Sequence, residues 1–180
     1  MDLVQLVSKK LMKFTKKKIE RYARQIILKK IGVIGQKKLL KSSVLIVGAG
    51  GLGSPVAIYL TALGIGKIGI VDNDKVEISN LSRQIIFSTK DLKKEKSSVA
   101  IYKLKKMNPD LQFKSFQKRL TIKNINQIAK DFSFIVDGSD NFRTRFLIND
   151  YCLKTKKILV SGAISKFDGQ VYTFNFSNKK

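Results

Sequence analysis

The sequence contains no histidine and a single cysteine, Cys152, among its 180 residues. One cysteine excludes an internal disulfide, and a single chain then offers no zinc site built from paired cysteines. A chain of this kind fits a reducing compartment, and we expect it in the cytoplasm. Cys152 lies in a predicted helix beside Tyr151 and Leu153, which favours a buried, small apolar residue over a catalytic thiol.

Proline and long apolar runs are also scarce. The chain has two prolines and no low-complexity tract, which argues against a disordered protein. No apolar run approaches the length of a membrane span, so we expect no membrane partner. A length of 180 residues with 43% hydrophobic residues suits one domain with a sizeable core.

Acidic residues are few: 13 Asp and Glu stand against 36 Lys and Arg, which gives a net charge of +23. Such a charge suits a polyanionic partner. The lysines are scattered, and basic stretches with interleaved aromatics, such as 114–118, are rare, so nucleic-acid binding is not favoured over a lysine-rich surface. The positive field still favours anionic ligands such as ATP and an acidic protein partner.

Residues 1–18 mix apolar residues with six lysines. The apolar stretch is short and precedes most of the charge, unlike a signal peptide. We interpret this segment as a basic N-terminal extension, with a surface-lying amphipathic helix as the alternative. The remaining residues, 19–180, are predicted to form one domain.

Periodicity in that domain alternates between helical and strand patterns. Helices are predicted over 16–29, 37–41, 54–63, 93–107, 121–130 and 141–155. Strands are predicted over 44–47, 67–72, 111–117, 134–137, 157–161 and 170–176. Thr15 and Thr121 are predicted helix caps, while Gly32 and Gly35 are predicted to interrupt the helical pattern. The alternation predicts an α/β fold with a doubly wound, mostly parallel, Rossmann-like sheet.

A glycine turn, 48–53, follows the first buried strand directly and precedes a helix. Gly48 permits the tight turn, Gly50 and Gly51 let the backbone approach phosphates, and Gly53 lets the helix pack on the strand. The helix N-terminus adds free N–H groups and a positive dipole end. In this strand–turn–helix context the pattern predicts a nucleotide site.

Asp72 ends the second strand, where a carboxylate can accept hydrogen bonds from ribose hydroxyls or cap the strand. At this point NAD and ATP are equally good ligands. The loop 72–84, which includes Asp74, Ser79 and Asn80, is more polar than hydride transfer needs. Its Arg83 could neutralise phosphate oxygens, and Lys96 could do the same.

A second polar turn, 137–141, ends another buried strand. In an open parallel sheet, ligands bind at that edge. Asp140 could hold Mg²⁺ through its oxygens and could also cap the helix 141–155.

These blocks resemble the ThiF/MoeB/HesA family, bacterial relatives of the ubiquitin-activating enzymes. The resemblance runs from about residue 19 to residue 176. It rests on five blocks in order: 20–28, 48–53, 79–84, 137–141, and 159–163 with 169–171.

The resemblance implies a homodimeric enzyme that binds ATP and Mg²⁺. Such an enzyme adenylates the C-terminal glycine carboxylate of a small ubiquitin-like sulfur carrier of the ThiS/MoaD type, for thiamine or molybdopterin biosynthesis. The implied nucleotide-binding residues are Gly48, Gly50, Gly51, Gly53, Asp72, Asp74, Ser79, Asn80, Arg83, Lys96, Asp140 and Asn141. Arg83, Lys96, Asp140 and Arg24 carry the implied catalytic roles, with Asp140 on the metal and Arg24 reaching the partner subunit's site.

Adenylation explains why histidine is dispensable. A carboxylate is already a nucleophile, so catalysis reduces to aligning two anions and offsetting their repulsion.

The sequence departs from the family pattern after residue 176. Relatives continue with two Cys-x-x-Cys pairs that hold a structural zinc, and those cysteines are absent here. We therefore expect an ATP-binding half with the C-terminal part of the fold missing. Two alternatives stay open: a non-catalytic nucleotide-binding remnant and an NAD(P)-dependent oxidoreductase domain. A tRNA-modifying relative of the same fold is a further possibility given the charge.

Overall fold

A computed structural model describes residues 14–176 as one sheet of six strands with helices on both faces. The strands are β1 (Ser43–Val47), β2 (Lys67–Val71), β3 (Gln112–Phe116), β4 (Phe134–Asp137), β5 (Ile158–Ser165) and β6 (Asp168–Asn175). The helices are α1 (Lys16–Ile26), α2 (Gly32–Lys41), α3 (Gly53–Leu63), α4 (Lys96–Met107), α5 (Ile125–Ala129) and α6 (Phe142–Thr155). Most of the predicted N-terminal extension, residues 1–13, lies outside the described residues, as do residues 177–180.

The strand order is β3-β2-β1-β4-β5-β6. All neighbouring pairs are parallel except β5 and β6, which are antiparallel. The order reverses at β1, which lies between β2 and β4. This arrangement confirms the predicted doubly wound, mostly parallel sheet and places its switch point at the carboxyl end of β1.

Alternating side chains of β1 build two separate cores. Val44 and Ile46 pack against the face covered by α3 and α4, while Leu45 and Val47 pack against the face covered by α5 and α6. Burial on both faces explains why β1 is a continuous apolar run.

The first two helices differ from their predicted limits. Thr15 caps α1 as predicted, since its hydroxyl accepts a hydrogen bond from Lys18 N–H. However, α1 ends at Ile26 rather than residue 29. The second helix was predicted to follow the glycines, over 37–41, and that start was wrong, because α2 begins at Gly32, whose φ of +55° favours glycine, and continues through Gly35.

Two predicted helix caps were also wrong. Thr121 does not cap α5; its N–H donates to the side chain of Asn124, and the helix begins at Ile125. Asp140 does not cap α6, because the extended residue before the helix is Asn141, whose Oδ1 accepts from Thr144 N–H at 2.9 Å.

Helix α4 and the last two strands have shifted limits as well. The predicted start of α4 at residue 93 fails because Lys93 has a φ of +65°, outside the helical range. Strands β5 and β6 pair over eight residues each, so they are longer than the predicted 157–161 and 170–176. None of the helices within residues 14–176 has the length and apolar character needed to cross a membrane.

Candidate functional site

The loops after β1, β2 and β4 meet at one edge of the sheet. Gly48 N–H donates to Val71 O at 2.9 Å, and Gly138 N–H donates to Val47 O at 3.0 Å. Because the three strands are parallel neighbours, the predicted glycine turn, acidic strand end and 137–141 turn come together there.

The glycines of the 48–53 turn fall into two groups. A Cβ at Gly48 would lie 2.9 Å from the carbonyl oxygen of Gly138, and one at Gly53 would lie 1.8 Å from that of Gly48. Only glycine fits these two positions. Gly50 and Gly51 are less crowded: a Cβ would lie 3.9 Å from Gln84 Nε2 and 3.5 Å from Arg83 Cγ, respectively.

Helix α3 begins directly after this turn. No described side chain caps it, and its N-cap residue is Leu52. Free backbone N–H groups and the positive end of the helix dipole favour an anion at this point. The turn therefore has the geometry of a phosphate cradle.

Asp72 lies beside the turn, at the end of β2. Its Oδ2 accepts from Ala49 N–H at 2.8 Å, and its Oδ1 accepts from Asp74 N–H at 2.8 Å. Burial raises the pKa of Asp72 above its ordinary value, although these two N–H groups and the nearby charge of Lys96 oppose the rise. Each oxygen keeps a second lone pair for another donor, such as a ribose hydroxyl.

Asp74 and Lys96 form an ion pair next to Asp72. Lys96 Nζ lies 3.1 Å from Asp74 Oδ2; the lysine side chain is 7% exposed and the aspartate side chain 61% exposed. Lysine is rarely this buried without a partner. The pair places a cation beside the phosphate cradle.

The loop 78–84 packs against the glycine turn at Gly50 and Gly51. Arg83 donates to Ser79 O at 3.1 Å, and its aliphatic part lies over Gly51. Asn80 is buried, with its Nδ2 3.4 Å from Ser79 Oγ. Sequence reasoning missed Gln84, which is buried against Gly50; only its place beside Arg83 could have marked it. The side-chain oxygens of Asn80 and Gln84 are buried and have no hydrogen-bond partner within residues 14–176.

The turn after β4 contains two aspartates, Asp137 and Asp140, with different roles. Asp137 is buried and accepts from Ser139 N–H at 3.0 Å, from the Ser139 hydroxyl at 2.6 Å and from the Ser161 hydroxyl at 2.9 Å. It fixes the turn. Asp140 is exposed, and its Oδ1 lies 3.3 Å from Asn141 Nδ2, so its oxygens remain accessible to a ligand.

Sequence reasoning also missed Arg145. Its guanidinium donates to the carbonyl oxygens of Ser139 and Gly162, each at 2.8 Å, and so links the turn after β4 to β5. No local sequence pattern indicates this role, because both acceptors are backbone atoms brought close by the sheet.

Arg24 is the one predicted site residue that does not lie near the others. It is exposed on α1, which packs at the C-terminal ends of α3 and α4: Tyr22 contacts Gly64, and its hydroxyl accepts from Asn108. The glycine turn lies at the opposite end of α3, about 16 Å away by helix length.

The residues fit magnesium better than zinc. Within residues 14–176 no group of three or more acidic, cysteine or histidine side chains could hold a metal. Mg²⁺ is commonly held by one or two carboxylates together with substrate phosphates, which Asp140 beside the phosphate cradle could provide. A structural zinc does not fit, because Cys152 is the only cysteine, is buried, and has its pKa raised by burial to about 12.

This geometry can bind a nucleotide and offset phosphate charge. A glycine turn, a helix N-terminus, a buried ion-paired lysine and an arginine surround one edge, and Asp72 supplies an acceptor beside them. Comparison with known proteins is consistent with that arrangement.

The curated relatives are similar over most of this chain. A sulfur carrier protein adenylyltransferase from Thermus thermophilus is 46% identical over 164 residues, which cover 91% of this chain and 60% of the relative. A probable molybdopterin-synthase adenylyltransferase from Porphyra purpurea is 49% identical over 156 residues, 87% of this chain and 41% of the relative. The chain thus spans 60% or less of the length of these relatives.

Solved structures show the same fold. E. coli MccB with ATP has a TM-score of 0.67 at 29% identity, covering 71% of this chain and 38% of that one. E. coli tRNA N6-threonylcarbamoyladenosine dehydratase, TcdA, has a TM-score of 0.79 at 25% identity, covering 87% and 66%. The model of the ThiF family matches residues 22–180. With that match over most of its length, the chain belongs to the ThiF family.

Proposed function

We propose that this chain is the ATP-binding part of an adenylyltransferase that activates the C-terminal carboxylate of a small ubiquitin-like sulfur carrier. The observation that carries the proposal is the phosphate cradle of Gly50 and Gly51 flanked by Asp72, Arg83 and the buried Lys96. The names of the relatives support the choice of substrate class. A thiamine or a molybdopterin pathway would use the same chemistry.

The residues take complementary roles in this proposal. Asp72 accepts hydrogen bonds from the ribose, while the turn between Gly48 and Gly53 receives the phosphates. Ser79, Asn80 and Asn141 bind the nucleotide through polar atoms, and Arg83 and Lys96 offset phosphate charge. Asp140 would hold Mg²⁺, which neutralises phosphate charge when bound.

The reaction needs no general base in this chain. A carboxylate oxygen of the carrier attacks the α-phosphorus and forms a C–O–P bond, while the bond to the β-phosphate breaks and pyrophosphate leaves. No proton is transferred. The protein aligns two anions and stabilises the charge that develops between them.

We infer that two copies of the full protein form a homodimer. Arg24 supports this inference, because it is exposed on α1, and Tyr22 of that helix contacts Gly64 at the end of α3 opposite the glycine turn. In this proposal Arg24 serves the site of the other subunit, because the glycine turn of its own chain lies at the far end of α3. The net charge of +23 favours an acidic carrier, and a use of ATP suits the cytoplasm.

The experiment is ATP–pyrophosphate exchange, with and without a carrier that ends in Gly-Gly. We expect exchange that requires the carrier and is lost in Asp140→Ala. The matched control is Asp150→Ala, which removes another exposed carboxylate, on α6. Magnesium-dependent ATP binding without exchange would contradict catalysis by this chain and indicate a binding remnant. Preference for NAD over ATP would contradict the proposal altogether.

A further inference from the structure

The ion pair between Asp74 and Lys96 is reinforced by a backbone hydrogen bond between the same two residues. The ion pairs of Asp131 with Lys67 and Lys114 show no such backbone bond. The carbonyl oxygen of Asp74 accepts from Lys96 N–H at 2.9 Å, so the two residues are joined through both backbone and side chain. Lys75 and Glu95 pair in an isolated antiparallel bridge between them. Val76 continues this pairing, with Val76 N–H donating to Lys94 O at 2.9 Å.

Asp74 also contacts the proposed ribose acceptor. Its N–H donates to Asp72 Oδ1 at 2.8 Å, and Asp72 Oδ2 in turn accepts from Ala49 N–H in the glycine turn. One residue therefore connects the proposed ribose acceptor to the proposed phosphate-binding lysine.

Lys96 is buried, so its ammonium group depends on Asp74 for charge compensation. A lysine with 5% residue exposure has exchanged most of its hydration for protein contacts, and Asp74 supplies a carboxylate oxygen 3.1 Å from its Nζ. The aspartate itself remains 61% exposed at the side chain, so it keeps access to water while it restrains the lysine.

We propose that Asp74 is a positioning residue that holds the Lys96 ammonium beside Asp72, so that Lys96 meets the phosphates of the nucleotide. This inference rests on the proposed function and assigns Asp74 a role through Lys96 rather than through its own contact with the ligand. Asp74→Asn is the informative change, because it removes the charge and keeps the shape and both backbone hydrogen bonds.

The first readout requires no nucleotide. Acetylation of lysines by an amine-reactive ester, followed by mass spectrometry, reports the accessibility of Lys96. We expect labelling of Lys96 to accelerate severalfold in Asp74→Asn, while Lys103, paired with Asp91, serves as an internal reference and keeps its rate. Unchanged labelling of Lys96 would overturn the holding role.

The second readout is calorimetric binding of ATP and of adenosine to the same 180-residue chain. We expect Asp74→Asn and Lys96→Met each to weaken ATP binding by about tenfold and adenosine binding by less than about twofold. In the Lys96→Met background, Asp74→Asn should have almost no further effect, because its role passes through the lysine. Asp74→Glu should restore part of the affinity.

The matched control is Asp131→Asn, which removes an aspartate paired with Lys67 and Lys114. It should leave both ligands unaffected. An effect of Asp74→Asn that persists in full without Lys96 would overturn the inference and indicate direct contact with the ligand or its metal. Failure of the unaltered chain to bind either ligand would instead refute the proposed function, while the labelling result would still decide whether Asp74 holds Lys96.

Discussion

Strands β1 and β6 lie in the same sheet but are packed in opposite ways. Residues Val44–Val47 of β1 are at most 4% exposed, whereas all eight residues of β6 are exposed, Val171 to 74%. Helices cover both faces of β1, and the loops at its carboxyl end contact each other and form the proposed site. The comparison shows that the core of the sheet is packed at β1, whereas β6 remains open to solvent.

The surface of β6 carries aromatic side chains and no basic residue. Tyr172, Phe174 and Phe176 lie along one side with ring centroids 6.2 and 6.0 Å apart. Although 36 of the 180 residues are Lys or Arg, none lies between residues 167 and 178. Edge strands commonly carry lysine, which discourages pairing with other chains, so β6 lacks that protection.

The largest effect on stability is expected from a substitution in the packed region around β1. In Gly53→Ala the new Cβ would lie 1.8 Å from Gly48 O, so the turn or helix α3 must move. We expect the free energy of unfolding to fall by more than about 3 kcal/mol, measured by urea denaturation. Gly169→Ala, at the start of β6, meets no atom within 4 Å and should change it by less than about 1 kcal/mol. Equal losses would show that the two regions are equally constrained.

An intermediate effect concerns protonation at the packed edge. Because burial raises the pKa of Asp72 above 3.8, acidification should remove the ribose acceptor at a higher pH than for an ordinary aspartate. ATP affinity should then fall by up to about tenfold for each pH unit below that pKa. Titration calorimetry across pH tests this.

Protonation of Asp72 should weaken ATP binding but stabilise the fold of the ligand-free protein. The folded state binds that proton more tightly than the unfolded state, because the pKa of Asp72 is higher when the protein is folded. The Asp72 contribution to stability therefore increases as pH falls from the folded pKa to the unfolded pKa, and it is lost as pH rises through the folded pKa. Asp72→Asn should remove the Asp72 contribution to both pH dependences, whereas Asp168→Asn on exposed β6 should leave that contribution in place. A pH profile unchanged by Asp72→Asn would contradict this assignment.

The smallest effect on stability is expected at β6. Val171→Lys adds a charge to an already exposed position and should alter the free energy of unfolding by less than about 0.5 kcal/mol. Light scattering at rising protein concentration should nevertheless show less self-association, because the charge disfavours pairing at the edge. Glu77→Lys, which makes an exposed charge change near the site loop, is the control. Equal solubility of both variants would argue against association through β6.

Local sequence patterns predicted the elements that depend on local chemistry. The glycine turn, the strand before it and the end of α3 at Gly64, whose φ is +83°, all follow from residue types at fixed spacing. The start of α2 at Gly32 and the capping of α6 by Asn141 were missed, because neighbouring residues offered equally good signals.

Tertiary contacts were beyond the reach of sequence reasoning. The position of Gln84 beneath Gly50 and the two carbonyl contacts of Arg145 join segments that approach only in the folded sheet. The predicted site residues were identified by motif, but the pairing of Asp74 with Lys96, 22 residues away, required the geometry.

The β5–β6 hairpin has a consequence for the order of folding. Its strands are joined by Lys166 and Phe167, so they can meet within microseconds of chain collapse. The pair β1–β4 instead joins Val44 to Phe134 across 90 residues and must await closure of a long loop. The hairpin can therefore form before β1 and β4 meet, while its aromatic side chains are still exposed, which makes refolding yield sensitive to protein concentration.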